Sequence, residues 1–216
     1  MPDIYVHHRV AIAPHKWQNV ADALRAGGAK RVAAAGGTLY GIWRSQIGRP
    51  RDELTVMTAW PSRDAADGAE DALLEGVAEA QDFQSDAMLP TLRPDSVDPP
   101  RRQGNYAFRW FETPRDNWKE FLDLCAGAWP GFESAYDSQV IGLWRVLGDD
   151  DDVRRSLLMT RRPNLAMWER SKIPDGEAEA EVRRKLNRRY DLCDWTCVYT
   201  TTLLTADDMP DDVRWT

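Results

Sequence analysis

One short pattern is written twice in this chain, and the repetition constrains its fold more than any other feature. Gly41-Ile42-Trp43-Arg44 returns as Gly142-Leu143-Trp144-Arg145. Residues 39 to 60 read as a β-hairpin: a strand from Leu39 to Ser45, a polar turn holding Gly48 and Pro50, and a returning strand from Leu54 to Trp60. In the second copy Gly148 and the acidic run Asp149 to Asp152 form the turn, and Leu157-Leu158-Met159-Thr160 stands for Thr55-Val56-Met57-Thr58. The register extends beyond the hairpins. Tyr5 and Tyr106, Trp17 and Trp118, and the Gly, Trp and Arg pairs all share a spacing of 101 residues, which becomes 102 at Met57/Met159 and Pro61/Pro163. The chain therefore reads as a duplicated unit of small-domain size, too long for a solenoid repeat of roughly 20 to 50 residues.

Taken in order, residues 3 to 12 alternate as a strand, Pro14 opens a helix over about 15–35, and Gly36-Gly37 end it. The hairpin follows, then a helix from Ser62 and Asp64 to about Ala80, then a poorly patterned strand over 85–93 that Pro90 marks as short or at an edge. The second half predicts a strand at 105–112, a helix at 116–128, strands at 139–146 and 156–162, a helix at 177–191 and a strand at 194–205. The predicted fold class is α+β, with two tandem ferredoxin-like (β-α-β-β-α-β) units at 1–94 and 105–206, a proline-rich linker at 95–104 and an acidic tail at 207–216. Each sheet has helices on one face and a bare face on the other. Packing bare face to bare face satisfies both.

Composition narrows the function. A net charge of -7 gives no general footprint for nucleic acid or an anionic membrane, and the basic stretch Arg183 to Arg189 reads as the solvated face of a helix. No signal peptide and no apolar run of membrane-spanning length is seen, so a cytoplasmic location is expected. Cys125, Cys193 and Cys197 lack zinc spacing and read as buried free thiols, with no metal site expected. Ten tryptophans are the compositional anomaly, and several are expected to line a surface or cavity, because indole joins a large apolar face to one N–H donor.

The hairpin residues carry a family resemblance. Gly41-x-Trp43-x-Ser45-Gln46-Ile47-Gly48 with Met57-Thr58-Ala59-Trp60-Pro61-Ser62, and Tyr106-Ala107-Phe108-Arg109, resemble the NIPSNAP pattern, over almost the whole chain as two tandem copies. The departures are Ser45-Gln46 for Thr-Glu, Thr58 and Trp60 for Trp and Tyr, and a second copy that keeps only Gly142, Trp144 and Gly148. The resemblance implies an intramolecular dimeric α+β barrel, a superfamily of cofactor-free monooxygenases, cyclases, isomerases and haem-degrading proteins.

An inter-sheet cavity is the default ligand site of such a fold. His8 aligns with Arg109 on the first strands, so His8 and Arg109 are expected to project into it, and the opposite parity would put Tyr5, His7 and Arg9 there instead. Histidine suits proton transfer and arginine suits a carboxylate clamp. His8, His7 and Arg109 are the candidate catalytic residues, with Tyr5, Arg9, Trp43, Trp60, Trp144 and Tyr106 as candidate substrate-binding residues. The expected activity is a cofactor-independent isomerase on a small unsaturated or aromatic-derived carboxylate. Alternatives are a cofactor-free monooxygenase, a haem-binding protein, or a non-catalytic binding or scaffold protein. Haem needs an axial ligand, usually His, and only His7, His8 and His15 are present. A small anionic substrate and a homodimer are the expected partners.

Overall fold

A computed structural model describes residues 4–148 and 152–208. The contacts divide the chain into two compact units. Unit 1 takes the chain up to Pro90, Asp95–Gln103 and the chain from Tyr199, while unit 2 takes Thr91–Pro94 and Gly104–Val198.

Unit 1 contains β1 (Ile4–Ile12), α1 (Trp17–Ala23), α2 (Ala29–Ala34), β2 (Thr38–Ile47), β3 (Glu53–Trp60), α3 (Arg63–Ala66), α4 (Ala69–Leu74) and the start of β4 (Ala80–Arg93). Between α1 and α2 the helix does not break at Gly27-Gly28 but widens into a π turn, Leu24–Gly28. A side chain at position 28 would press on the Leu73 carbonyl oxygen, so glycine lets this turn approach α4. Arg31 then donates to the carbonyls of Ala72 and Leu73, at 3.0 Å each, and so caps the end of α4.

The helix expected to run to about Ala80 is instead two short pieces ending at Leu74. Gly76, with φ +72, turns the chain early. β4 consequently starts at Ala80 and runs 14 residues rather than 85–93. Pro90 lies past the last pair of β4 with β1, Tyr5–Met88, so its missing N–H costs that ladder nothing.

Unit 2 contains β5 (Asn105–Pro114), α5 (Trp118–Tyr136), β6 (Gln139–Val146), β7 (Val153–Arg162), α6 (Leu165–Arg170), α7 (Gly176–Asp191) and the first part of β8 (Trp195–Leu203). α5 runs past the expected end at 128 in spite of Pro130, and stops where Asp137 adopts a left-handed φ of 41. α6 was not expected from the sequence. The Asn164 side chain caps it, accepting from the Met167 N–H at 2.9 Å.

All observed pairings are antiparallel, and the strands hydrogen-bond in the order β1-β3-β2-β8-β5-β7-β6-β4, an eight-stranded barrel. β4 and β8 each begin in one unit and end in the other. The end of β8 supplies unit 1 with a fifth strand, pairing with β2 at Trp43–Leu203 and Arg44–Thr202. The segment 95–103, expected as a free linker, is held in unit 1: Arg101 pairs with Asp207, and the Gln103 N–H donates to Asp208 at 2.7 Å. The expected acidic turn at 149–151 and the rest of the tail, 209–216, lie outside the described residues.

The Gly-x-Trp repeat has one cause in both units. A register shift between residues 39 and 41, and again between 140 and 142, bulges the strand at the glycine. The indole two residues on folds back over the glycine, so a Cβ at 41 would collide with Trp43 and one at 142 with Trp144 and Pro94. Both indoles are fully enclosed. Among the described residues, no helix is long and apolar enough to cross a membrane.

Candidate functional site

In unit 2, alternation along β5 puts Ala107, Arg109 and Phe111 on one face. Cross-strand pairing puts Leu158 and Thr160 of β7 beside Arg109 and Ala107, and Arg162 beside Asn105. Phe111 and Leu158 belong to one core cluster with Phe121, Trp129 and Phe132 of α5 and Val182 of α7, so this is the helix-covered face of the sheet. Ala107 is too small to reach the helices. Around it the layers enclose a cavity of about 200 Å³, closed by Trp129 and Phe132 of α5, by Trp168, Ser171 and Lys172 in and after α6, and by Arg183, Leu186 and Arg189 of α7.

The lining carries five cations: Arg109, Arg162, Lys172, Arg183 and Arg189. None of them has a carboxylate within ion-pair distance among the described residues. The nearby acids are engaged elsewhere, Glu179 by Arg170 and Glu133 by Arg93. The Nε–H groups of Arg162, Arg183 and Arg189 are buried without an acceptor. Aromatic faces serve instead. The Arg162 guanidinium lies 4.3 Å over Trp168 and 5.0 Å over Phe132, Arg189 lies 4.9 Å over Phe111, and the Lys172 ammonium lies 4.9 Å over Trp168.

The strain shows in the proton affinities. Burial, then the charge of Arg189, pulls Arg109 down to about 10; burial, then Arg109 and Arg183, pulls Arg162 down to about 9. Burial and four guanidiniums, led by Arg109, pull Lys172 down to about 8. The guanidiniums stay charged at neutral pH. The cavity thus sets positive charge beside flat apolar walls, with no carboxylate paired to it among the described residues.

His8 and Arg109, expected to share one inter-sheet cavity, lie in different units, and Arg109 faces its own helices. The expectation was built on pairing bare faces, whereas this parity of β5 is the helix side. His8 is fully buried, with Nδ1 2.8 Å from Ser85 Oγ and Nε2 3.2 Å from Thr58 Oγ1. Trp60 Nε1 donates to the same Thr58 oxygen at 2.8 Å, so the two hydroxyls and the indole form one buried network around the imidazole. Burial lowers the His8 pKa to about 3. This neutral histidine, engaged at both nitrogens, makes a poor proton shuttle at neutral pH.

Its titration sets a test. The unfolded chain protonates His8 near pH 6.5 and the folded chain only near 3. Between those values the unfolded state binds more protons, so stability is lost as pH falls. Between pH 7 and pH 5 this single group is expected to cost about 2 kcal/mol. Urea unfolding at the two pH values measures it: His8→Gln should show a pH dependence shallower by that amount, and an equal slope in both proteins would assign the acid sensitivity elsewhere.

The other parity of β1 forms a second polar group in unit 1. His7 Nε2 is 3.1 Å from Tyr199 Oη, the Tyr199 hydroxyl is 3.4 Å from Thr55 Oγ1, and Arg49 lies 4.8 Å over the Tyr199 ring. His7 Nδ1 stands 3.9 Å from Asp86, beyond hydrogen-bond range. Arg9 is held by both oxygens of Glu53, at 2.7 and 3.3 Å, and by Gln84, so its guanidinium is already committed. Tyr5 donates to the Ser96 carbonyl at 3.0 Å. Trp43, Trp60, Trp144 and Tyr106, expected as cavity walls, are enclosed core side chains, and none lines the unit 2 cavity. Of the nine residues singled out from sequence, that cavity takes Arg109 alone.

Sequence reading missed Arg162, Lys172, Arg183, Arg189, Trp129 and Trp168. The signal for Arg162 was there: it ends β7 in the same two-residue phase as Leu158 and Thr160. Arg189 was misread as solvated, yet it follows Val182 by seven residues, two helical turns on the same face, and is buried. The three cysteines are free, but only Cys125 is buried; Cys197 is exposed.

The sequence matches no protein-family model and no curated protein. Solved structures do match. The chain is similar to a candidate monooxygenase from Lactobacillus acidophilus (12% identity, 94% of each chain covered, TM-score 0.63). It is also similar to an anthrone oxidase-like protein (15%, 97% of this chain and 96% of that one, 0.57) and to a haem-binding protein from Thermus thermophilus (16%, 94% and 92%, 0.56). A chlorite dismutase from Candidatus Nitrospira defluvii aligns over 98% of this chain with a TM-score of 0.60. These likenesses show the fold alone, a mixed α+β fold with an eight-stranded antiparallel barrel.

Proposed function

We propose that the chain holds a small, flat organic anion in the unit 2 cavity and oxidises it with dioxygen, as a cofactor-independent monooxygenase. The observation that carries the binding half is the set of five cations without a carboxylate among them, set against Trp129, Phe132 and Trp168. Fixed positive charge in a site poor in water stabilises an enolate or phenolate more than its neutral parent. Such an anion is electron-rich enough to reduce dioxygen directly: a CH2 carbon loses four electrons and two protons, becomes C=O, and one oxygen atom leaves as water. The monooxygenase and anthrone oxidase-like neighbours favour oxidation as the reaction class. Isomerisation draws no support from them, and its proposed proton carrier, His8, is neutral and enclosed. The NIPSNAP likeness and the duplication are readings of the two Gly-x-Trp hairpins, and they bear on ancestry more than on chemistry.

Haem, named for the Thermus thermophilus neighbour, does not fit this cavity. Its lining has no His, Cys or Met, and its one tyrosine, Tyr190, is 60% exposed. All three histidines belong to unit 1.

The test is a thermal-shift and calorimetry panel of aromatic mono- and dicarboxylates with their neutral esters. Ligands that bind only the folded state raise Tm by mass action. Dicarboxylates should raise it most and esters not at all, with the shift lost in Arg109→Met. Equal shifts for acids and esters, or a shift that persists in Arg109→Met, would sink the assignment.

A further inference from the structure

Among the five cations, Lys172 is the only primary amine, and it is the one lysine that lines the cavity. Lys119 is paired with Asp123 at 2.6 Å and Lys185 lies 3.6 Å from Glu181. Lys172 has no carboxylate partner among the described residues; it sits at the rim of the cavity, with Nζ 4.9 Å over the Trp168 ring. Arg109 and Arg162 approach it from the sheet, and Arg183 and Arg189 from α7. An amine crowded by cations loses its proton more readily than one in water. Its backbone is fixed by the end of α6, where the Lys172 N–H donates to the Glu169 carbonyl at 2.9 Å.

We infer that Lys172 is a nucleophile that captures a carbonyl-bearing organic anion, an oxo acid or an aldehyde acid, as an imine. The inference rests on the anion-binding reading of the same cavity and adds the carbonyl to its ligand. The nitrogen lone pair attacks the carbonyl carbon, a C–N bond forms, two protons move to the former carbonyl oxygen, and water leaves, so that C=N replaces C=O without any oxidant. Around pH 8 about half of the lysine is in the free-base form that can attack. The guanidiniums then hold the carboxylate of the captured ligand.

Trapping tests this directly. The full chain is incubated at pH 7.5 with 4-carboxybenzaldehyde and sodium cyanoborohydride, which reduces the imine to a stable secondary amine, and the product is mapped by peptide mass spectrometry. The expected result is one label per chain, on Lys172, formed at least tenfold faster than on Lys16, Lys30, Lys119 or Lys185 and suppressed by terephthalate, which offers the anion without the carbonyl. Lys172→Arg keeps the charge without the primary amine and should take no label there. Label spread evenly over the five lysines, with terephthalate still bound, overturns the nucleophile and leaves the anion site standing. Absence of both label and terephthalate binding overturns both.

Discussion

Arg162→Met is expected to make the ligand-free protein more stable and its ligand affinity much lower. Arg162 is buried, its Nε–H has no acceptor among the described residues, and its Nη1 donates to Thr160 Oγ1 at 3.0 Å. Methionine keeps the apolar stem, ends short of the guanidinium that lies over Trp168 and Phe132, and removes a charge that has no counter-charge among the described residues. Replacing an uncompensated buried charge by an apolar side chain of similar shape stabilises by about 1–3 kcal/mol. A hydrogen bond from a charged donor to an anion contributes about 1.5–3 kcal/mol to binding, so affinity for an aromatic dicarboxylate should fall roughly 10- to 100-fold. Urea unfolding without ligand and calorimetry with ligand give the two halves. Opposite signs mark a binding site; a loss of stability with unchanged affinity would make Arg162 a packing residue and withdraw the cavity from the functional account.

The second large effect concerns the repeated hairpin. Gly142→Ala would set a methyl group against the Trp144 indole and the Pro94 ring, both held in packed surroundings, and Gly41→Ala would do the same at Trp43. Overpacking of this kind costs about 1–3 kcal/mol, and the rigid obstacle places these substitutions at the upper end. Trp144→Ala alone should cost about 3–5 kcal/mol through the cavity it leaves. The pair should not add: with the indole gone, a methyl group at 142 loses its two closest obstacles and keeps only Pro94 Cδ. A double-mutant cycle by urea unfolding should therefore show a coupling above about 1 kcal/mol. Additive losses would mean that the glycine serves the bulge itself rather than the ring above it.

These two sites mark where the sequence was legible. Gly-x-Trp could be read because one local cause, an indole over a bare Cα, leaves a fixed spacing in both hairpins. Strand and helix order followed from the same periodicities. Arg109 stood out because a charge inside an apolar strand is rare. The rest of the cavity comes from β7, α6 and α7, and the link between Arg109 and Arg189 is made by packing across 80 residues. No local period records that. A helix as polar as α7 reads as solvated until its one buried face is known. His8 shows the converse: a histidine in a strand looks chemical, yet Thr58 and Ser85 on the two neighbouring strands satisfy it completely.

The passage of β4 and β8 from one unit to the other bears on how the gene can be cut. A fragment ending at residue 104 would lack Tyr199–Leu203 and leave the β2 edge open where Trp43 and Arg44 now pair with Leu203 and Thr202. A fragment starting at 105 would lack Thr91, whose hydroxyl donates to the Leu143 carbonyl at 2.8 Å, and Arg93, which holds Glu133. Exposed strand edges of that kind invite association with other chains. The seam between the two units thus does not fall at one point of the chain, and a gene cut at 104/105 would sever strand pairing and side-chain contacts on both sides of it.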